Sequence, residues 1–371
     1  MFIVALYRDE NVCTNFLVGD TTPGFVNGRS MEFASDLKSR LYFQAAGRHF
    51  SAQGFGDYQF EWQGQHNVVG MNTHGLPVLT DGMNDKGLAT GDLWLPGSKY
   101  QKITDKKKGL SIDRFAAWLL SSFATVEEVR KAMKDGVVEV GAPVFVQNVL
   151  PLHFPVHDAS GDSIVIEFTG GDALVYDNPV GTLTNQPPFP WQLENIRNYV
   201  NLTPRDIEPM NINGMEFSPT GHGAGLLGLP SDPTPPSRFV KAALSAHFAE
   251  PFTTMDEGVT LAFHILNSVD IPKGMNRFHD SNTGKTCSDY TQWVVVKDLE
   301  RKGYYVRDYV SPQVYSVDLT KIDWQAMDGK QIDIPTVPIS IDLGAGLDGG
   351  LVENAFEAES LRVLAPSGDP G

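Results

Sequence analysis

The order of strand-like and helix-like blocks constrains this chain more than any other feature. The first hundred residues carry short apolar runs: Phe16-Leu17-Val18, Val68-Val69-Gly70-Met71 and Leu88-Ala89-Thr90. Turn signals such as Thr22-Pro23-Gly24 and Asp81-Gly82 separate them, which predicts strands and hairpins. Two helices follow, one over residues 114–123 and one opened by Thr125-Val126-Glu127-Glu128, a capping-box pattern. Residues 163–168 and 173–176 predict a hairpin across Gly170-Gly171. Helices are expected over 191–200, 237–248 and 254–267, then strands over 292–297, 303–307 and 313–318. Strand groups separated by consecutive helices predict an α+β fold of antiparallel sheets, with helices covering the sheet faces.

Length allows one large domain or two ordinary ones. The formal charge of −16 and a pI of about 4.9 argue against nucleic acid or an anionic membrane as the main partner. No run of about 18 apolar residues predicts membrane insertion. Residues 1–12 hold a short apolar stretch but lack a basic start and a small-residue cleavage site. They read as a short propeptide or leader, although a mis-assigned start would also explain them. The body of the domain spans 13–334. Residues 335–371 are rich in proline, glycine and acidic residues, with Arg362 their only base, and read as a mobile tail with room for a short helix over 351–364. The expected compartment is cytoplasmic, or periplasmic if a true signal precedes this sequence.

The chemistry starts at Cys13, followed at short spacing by Arg29 and Glu32. With two cysteines in the chain, Cys13 is not part of a disulfide framework. If the twelve residues before it are removed, its thiol and α-amino group share one residue. An α-amino group titrates near ~8, so it serves as a base where a lysine would be almost fully protonated. A thiol needs such a base or a nearby cation to become the reactive thiolate. The alternative is a buried strand cysteine, which is what most lone cysteines are.

Three further segments narrow the choice: Asp81-Gly82-Met83-Asn84-Asp85-Lys86-Gly87-Leu88 running to Leu93-Trp94-Leu95-Pro96; Gly181-Thr182-Leu183-Thr184-Asn185-Gln186-Pro187; and Leu229-Pro230-Ser231-Asp232 followed by Thr234-Pro235-Pro236-Ser237-Arg238-Phe239. With the Cys13 segment, these resemble the choloylglycine hydrolase family of bile salt hydrolases and penicillin V acylases, over roughly residues 13–318. The resemblance implies an N-terminal-nucleophile hydrolase, a four-layer αββα sandwich of two antiparallel sheets between helix layers. It implies Cys13 as nucleophile, Arg29 beside the thiol, and Glu32 orienting the α-amino group where the family usually has aspartate. It implies Asn185 and the backbone N–H of Trp94 as oxyanion donors, and Arg238 as the last active-site arginine. Met31, Phe33 and Trp94 would line the substrate. Trp94 stands where bile salt hydrolases usually have asparagine and penicillin V acylases an aromatic residue. An aromatic pair of Phe33 and Trp94 could hold a phenoxyacetyl-like acyl group by offset stacking. Penicillin V and related N-acyl amides, including acyl homoserine lactones, therefore lead, with conjugated bile salts second. No metal or organic cofactor is implied. Family members are commonly tetramers, so a homotetramer is expected.

Other candidates are weaker. His153 and His157 have i, i+4 spacing, but Pro155 between them argues against a helix and a shared zinc site. The Gly221-His222-Gly223-Ala224-Gly225 run lacks a following Lys-Ser/Thr and reads as a loop near the active site. Cys287 reads as structural. A non-catalytic binding protein on the same scaffold is the rival reading, supported by Glu32 in place of aspartate and by the leader.

Overall fold

In the computed structural model, residues 12–51, 58–143, 150–280 and 284–335 are described. Among them, two antiparallel sheets form the middle of the molecule. The first runs in the order Thr182–Leu183, Cys13–Asp20, Gly24–Phe33, Lys285–Asp298, Gly303–Asp308 and Tyr315–Asp318, with Asn276–Asp280 also paired to the long strand. The second runs Asp172–Asp177, Ser163–Thr169, Leu152–His157, Ala89–Gly91, Asp81–Asn84, Val68–Met71, Leu41–Gln44 and Gln331–Ile332, with Leu93–Trp94 paired to Leu152–His157.

Period-two alternation explains how the sheets stack. Along Ser163–Thr169, Ile164, Ile166 and Phe168 face one way, into a core shared with Phe115, Trp118 and Leu119 of the helix Phe115–Ser122 and Val126 and Val129 of the helix Val126–Lys134. Val165 faces the other way, into the layer between the sheets, beside Met31, Phe43, Val69 and Val295. On the far side, Phe16, Val26, Val294 and Val296 meet Ala242 of the helix Pro235–Phe248 and Val259, Ala262 and Leu266 of the helix Met255–Val269. The result is the expected four-layer αββα sandwich. Because both faces of each sheet are covered, its strands read as continuous apolar runs.

Local signals hold at the ends of elements. Thr125 and Thr254 each accept from the N–H three residues on, and Glu128 and Glu257 complete reciprocal capping boxes. Gly170 and Gly171 both have positive φ, and the flanking strands pair from Thr169 opposite Asp172. One expectation is overturned: Asp81-Gly82 is not a turn but opens the buried strand Asp81–Asn84. Asp-Gly fits there because Asp81 is held by buried cations, and a Cβ on Gly82 would lie 2.7 Å from Leu120. The helix expected over 191–200 starts earlier, as Phe189–Asn195, and tightens into a 3₁₀ turn at Ile196–Tyr199. His153 and His157 lie on the strand Leu152–His157, which accommodates Pro155 at its centre. Among the described residues no helix is long and apolar enough to cross a membrane. Residues 1–11 of the expected leader over 1–12 and nearly all of the expected tail, from 336, lie outside the described residues.

Candidate active site

Cys13 opens its strand with Met31 opposite it. Odd-numbered residues on these two strands turn toward the layer between the sheets, so Cys13, Arg29, Met31 and Phe33 share one face. Cys13 is buried, with Sγ 3.8 Å from Met31 Sδ and 3.8 Å from Arg29 Nη2. Burial pushes the thiol up, and the Arg29 guanidinium opposes it.

Arg29 is fully buried, and its guanidinium is fixed from several sides. It donates to the carbonyls of Thr80 and Asp92 and lies 3.5 Å from the carboxylates of both Asp81 and Asp92. Its guanidinium also lies over the Trp293 ring, 5.4 Å from the centroid. Gly91 makes room, since a Cβ there would sit 2.4 Å from Arg29 Nη1. Burial raises Asp92 to about 7, with Arg29 working against it.

Asn185 joins the remaining parts. Its Oδ1 accepts from the Cys13 N–H at 2.8 Å and from Arg238 Nη2 at 2.8 Å. Two donors at one atom fix which end of the amide is oxygen. Its Nδ2 donates to the Trp94 carbonyl at 2.8 Å, which leaves its second N–H free for another acceptor. The Trp94 N–H is aimed by strand geometry. Leu95 N–H donates to Pro151 O at 2.7 Å, while Trp94 stands opposite Leu152. Bonded and non-bonded pairs alternate in an antiparallel ladder, so the Trp94 N–H and C=O both turn away from Leu152. Its C=O meets Asn185, so its N–H points to the same side.

Arg238 holds the Cys13 backbone. Nη1 donates to Cys13 O at 2.5 Å and to Thr14 Oγ1 at 2.6 Å. Behind Asn185, Thr184 O lies 3.0 Å from His153 Nε2, and His153 Nδ1 lies 3.0 Å from Glu167 Oε1, which also accepts the Phe189 N–H at 2.9 Å. His153 thus braces the Asn185 segment. His157 contacts Asn15 Oδ1 at 2.7 Å and Ser163 Oγ at 2.8 Å, and burial lowers it to about 3, which keeps it neutral.

Glu32 does not contact the Cys13 nitrogen while Val12 is attached. Its Oε1 accepts the Thr291 hydroxyl at 2.9 Å, its Oε2 is buried without a partner, and the Cys13 N–H goes to Asn185 instead. Burial raises Glu32 to about 7, with Arg238 opposing. With Val12 attached, the Cys13 nitrogen is a peptide N–H, and Val12 O accepts from Glu32 N–H at 3.1 Å. Phe33 and Trp94 are buried and meet edge to face, centroids 6.4 Å apart at 79°, so they pack as a wall rather than as an open slot.

Sequence reasoning missed Asp81 and Lys297 as a buried ion pair at 2.6 Å, Tyr304, whose hydroxyl reaches Asp81 at 2.8 Å, and Asp92. Asp81 and Asp92 lie within the segment over 81–96, but no local pattern there marks their partners. The glycine-rich loop packs on Thr203, Arg205 and Asp206, and Cys287 sits half-buried on a strand as a free thiol.

Two antiparallel sheets between helix layers, with a cysteine heading a central strand beside a buried arginine, define an N-terminal-nucleophile hydrolase. The chain belongs to the linear amide C–N hydrolases of the choloylglycine hydrolase family, whose model matches residues 13–333. It is therefore a hydrolase of linear amides. It is 33% identical to the bile salt hydrolase/transferase of Clostridium perfringens over 72% of this chain and 80% of that one. It is 28% identical to the penicillin V acylase of Pectobacterium atrosepticum, over 91% of this chain and 89% of that one. The crystal structure of a variant of the C. perfringens conjugated bile acid hydrolase superposes with a TM-score of 0.77 at 28% identity, covering 89% of this chain and 99% of that one.

Proposed function

We propose that the chain cleaves N-acyl amides through an acyl-thioester on Cys13, after removal of residues 1–12, with the penicillin V type of acyl group preferred. The observation that supports this most is the convergence on one thiol: Arg29 Nη2 at 3.8 Å, and Asn185 bonded both to the Cys13 nitrogen and to the Trp94 carbonyl. The freed α-amino group takes the thiol proton, and the thiolate attacks the acyl carbon. The free N–H of Asn185 and the N–H of Trp94 receive the oxyanion. Two aimed donors suit acyl transfer, and loss of one costs ~10²–10³ in rate. The ammonium returns its proton to the leaving nitrogen and the thioester forms. Water, deprotonated by the same amine, then attacks the thioester, the acid leaves, and the thiol reforms. The unpartnered Oε2 of Glu32 is buried one residue beyond Met31, which pairs with Cys13, and is assigned to the new α-ammonium.

The Phe33–Trp94 wall favours a flat acyl group. Bile salts are the second reading, favoured by the C. perfringens relative. The experiment is kcat/KM for penicillin V and glycocholate in wild type and Trp94→Asn, a change that keeps the backbone donor. Penicillin V is expected to win in wild type, and Trp94→Asn to shift the ratio toward glycocholate by up to about tenfold. If glycocholate already wins, bile salt hydrolysis takes first place.

A further inference from the structure

We propose that Lys297, acting through Asp81, is a positioning residue that keeps the positive charge of Arg29 turned onto the Cys13 thiol. This rests on the reading of Cys13 as nucleophile. Asp81 is the only carboxylate among the described residues flanked by both Lys297 and Arg29. Its Oδ2 lies 2.6 Å from Lys297 Nζ but 3.5 Å from Arg29 Nη1, and its Oδ1 accepts from Tyr304 at 2.8 Å. The side chains of Arg29, Asp81 and Lys297 are wholly buried. Lys297 is tied on its other side to Asn27 Oδ1 at 2.8 Å, so its ammonium cannot swing away.

The geometry divides the charge. Lys297 and Tyr304 satisfy Asp81 at close range, so Arg29 is held at arm's length from Asp81 and presents its other nitrogen to Sγ at 3.8 Å. Without Lys297, Arg29 would be the nearest cation to a buried carboxylate. Opposite charges in a low-dielectric interior close up. The guanidinium would be drawn onto Asp81 and its charge cancelled there, leaving the thiol without its cation.

Cys13 faces Arg29, Glu32, Asp92 and Arg238; Arg29 faces Cys13, Asp81, Asp92 and Lys297, and its Nη2 also donates to the Asp92 carbonyl; Lys297 faces Asp81, Arg29 and His157. Burial draws Lys297 down to about 8, and Asp81 holds it up. The pair thus depends on both members.

The test is alkylation of Cys13 by iodoacetamide from pH 6 to 10, read on the mass of the Cys13 peptide so that Cys287 does not interfere, with hydrolysis followed in parallel. Lys297→Met should raise the apparent thiol pKa by about one unit and slow alkylation near pH 7 about tenfold. Lys297→Arg should stay within about threefold of wild type. The double variant Lys297→Met/Asp81→Asn removes both charges and should recover to about the wild-type rate, whether or not Lys297→Met alone folds. A wild-type pH profile in folded Lys297→Met, or a folded double variant still about tenfold slow, overturns the proposal. Hydrolysis that survives Cys13→Ala would instead overturn the nucleophile reading itself.

Discussion

At the residue scale, the site is built from charges that burial makes costly. Glu32 shows it in measurable form. Its carboxyl is raised from 4.5 to about 7 by burial. A raised group favours the fold while protonated: its contribution is intact below the unfolded value near 4.5 and is lost as pH climbs through about 7. Glu32→Gln keeps an acceptor for Thr291 and removes the charge. In protein that retains residues 1–12, it should therefore leave Tm nearly unchanged at pH 4.5 and raise stability at pH 8 by roughly 1–3 kcal/mol, read by thermal melts at both pH values. The same substitution should lower kcat more than it alters KM, if Oε2 receives the α-ammonium. Gly91 carries a steric version of the argument. A methyl group there meets Arg29 Nη1 at 2.4 Å and Asp81 Oδ2 at 2.9 Å. Gly91→Ala should displace the guanidinium and lower kcat/KM by at least ~10²-fold, a loss comparable to that of an oxyanion donor. Unchanged kinetics would show that Arg29 tolerates movement.

At the element scale, what the sequence disclosed was what neighbouring residues decide. The capping box at Thr125 and the Gly170-Gly171 hairpin depend on contacts within a few residues, and both are present. Asp81-Gly82 failed as a turn because long-range pairing won. Lys297 and Tyr304, 216 and 223 positions away, receive its side chain, and no local pattern encodes that. Asn185 and Arg238 were legible through family resemblance, but the hydrogen bonds joining them to Cys13 were not. The brace behind Asn185 is of the same hidden kind. Glu167 accepts from His153 and from the Phe189 N–H, tying a sheet strand to the start of a helix. Glu167→Leu removes one partner of a buried pair and strands the other. It should cost about 1–3 kcal/mol by denaturant unfolding. Activity per folded molecule below wild type would show that the brace also aims the Asn185 side chain.

At the scale of the whole molecule, the sandwich brings together residues from both sheets and from a helix of the outer layer, since Cys13 and Arg29 come from one sheet, Trp94 from the other and Arg238 from the helix Pro235–Phe248. Processing should leave this arrangement standing. Intact mass of active protein should correspond to a chain beginning at Cys13, and Cys13→Ala should retain residues 1–12 if maturation is self-catalysed. Fully active protein that still carries the first twelve residues would overturn the α-amino mechanism. Light scattering tests the expected tetramer. The exposed hairpin Met210–Ile212 and Met215–Phe217 shows Met210, Ile212, Met215 and Phe217 to solvent, which motivates that measurement.

A polypeptide's end is ordinarily its loosest part. At Cys13 the surroundings work against that. Cutting the Val12–Cys13 bond would remove the Val12 carbonyl from the Glu32 N–H, while strand pairing to Met31, the Arg238 grip on the Cys13 carbonyl and the Asn185 contact to its nitrogen all lie on the retained side. The new terminus would inherit the rigidity of a strand interior. The amine created by the cut would then meet each substrate from a fixed position, and the entropy of ordering a chain end would have been settled during folding rather than at every turnover.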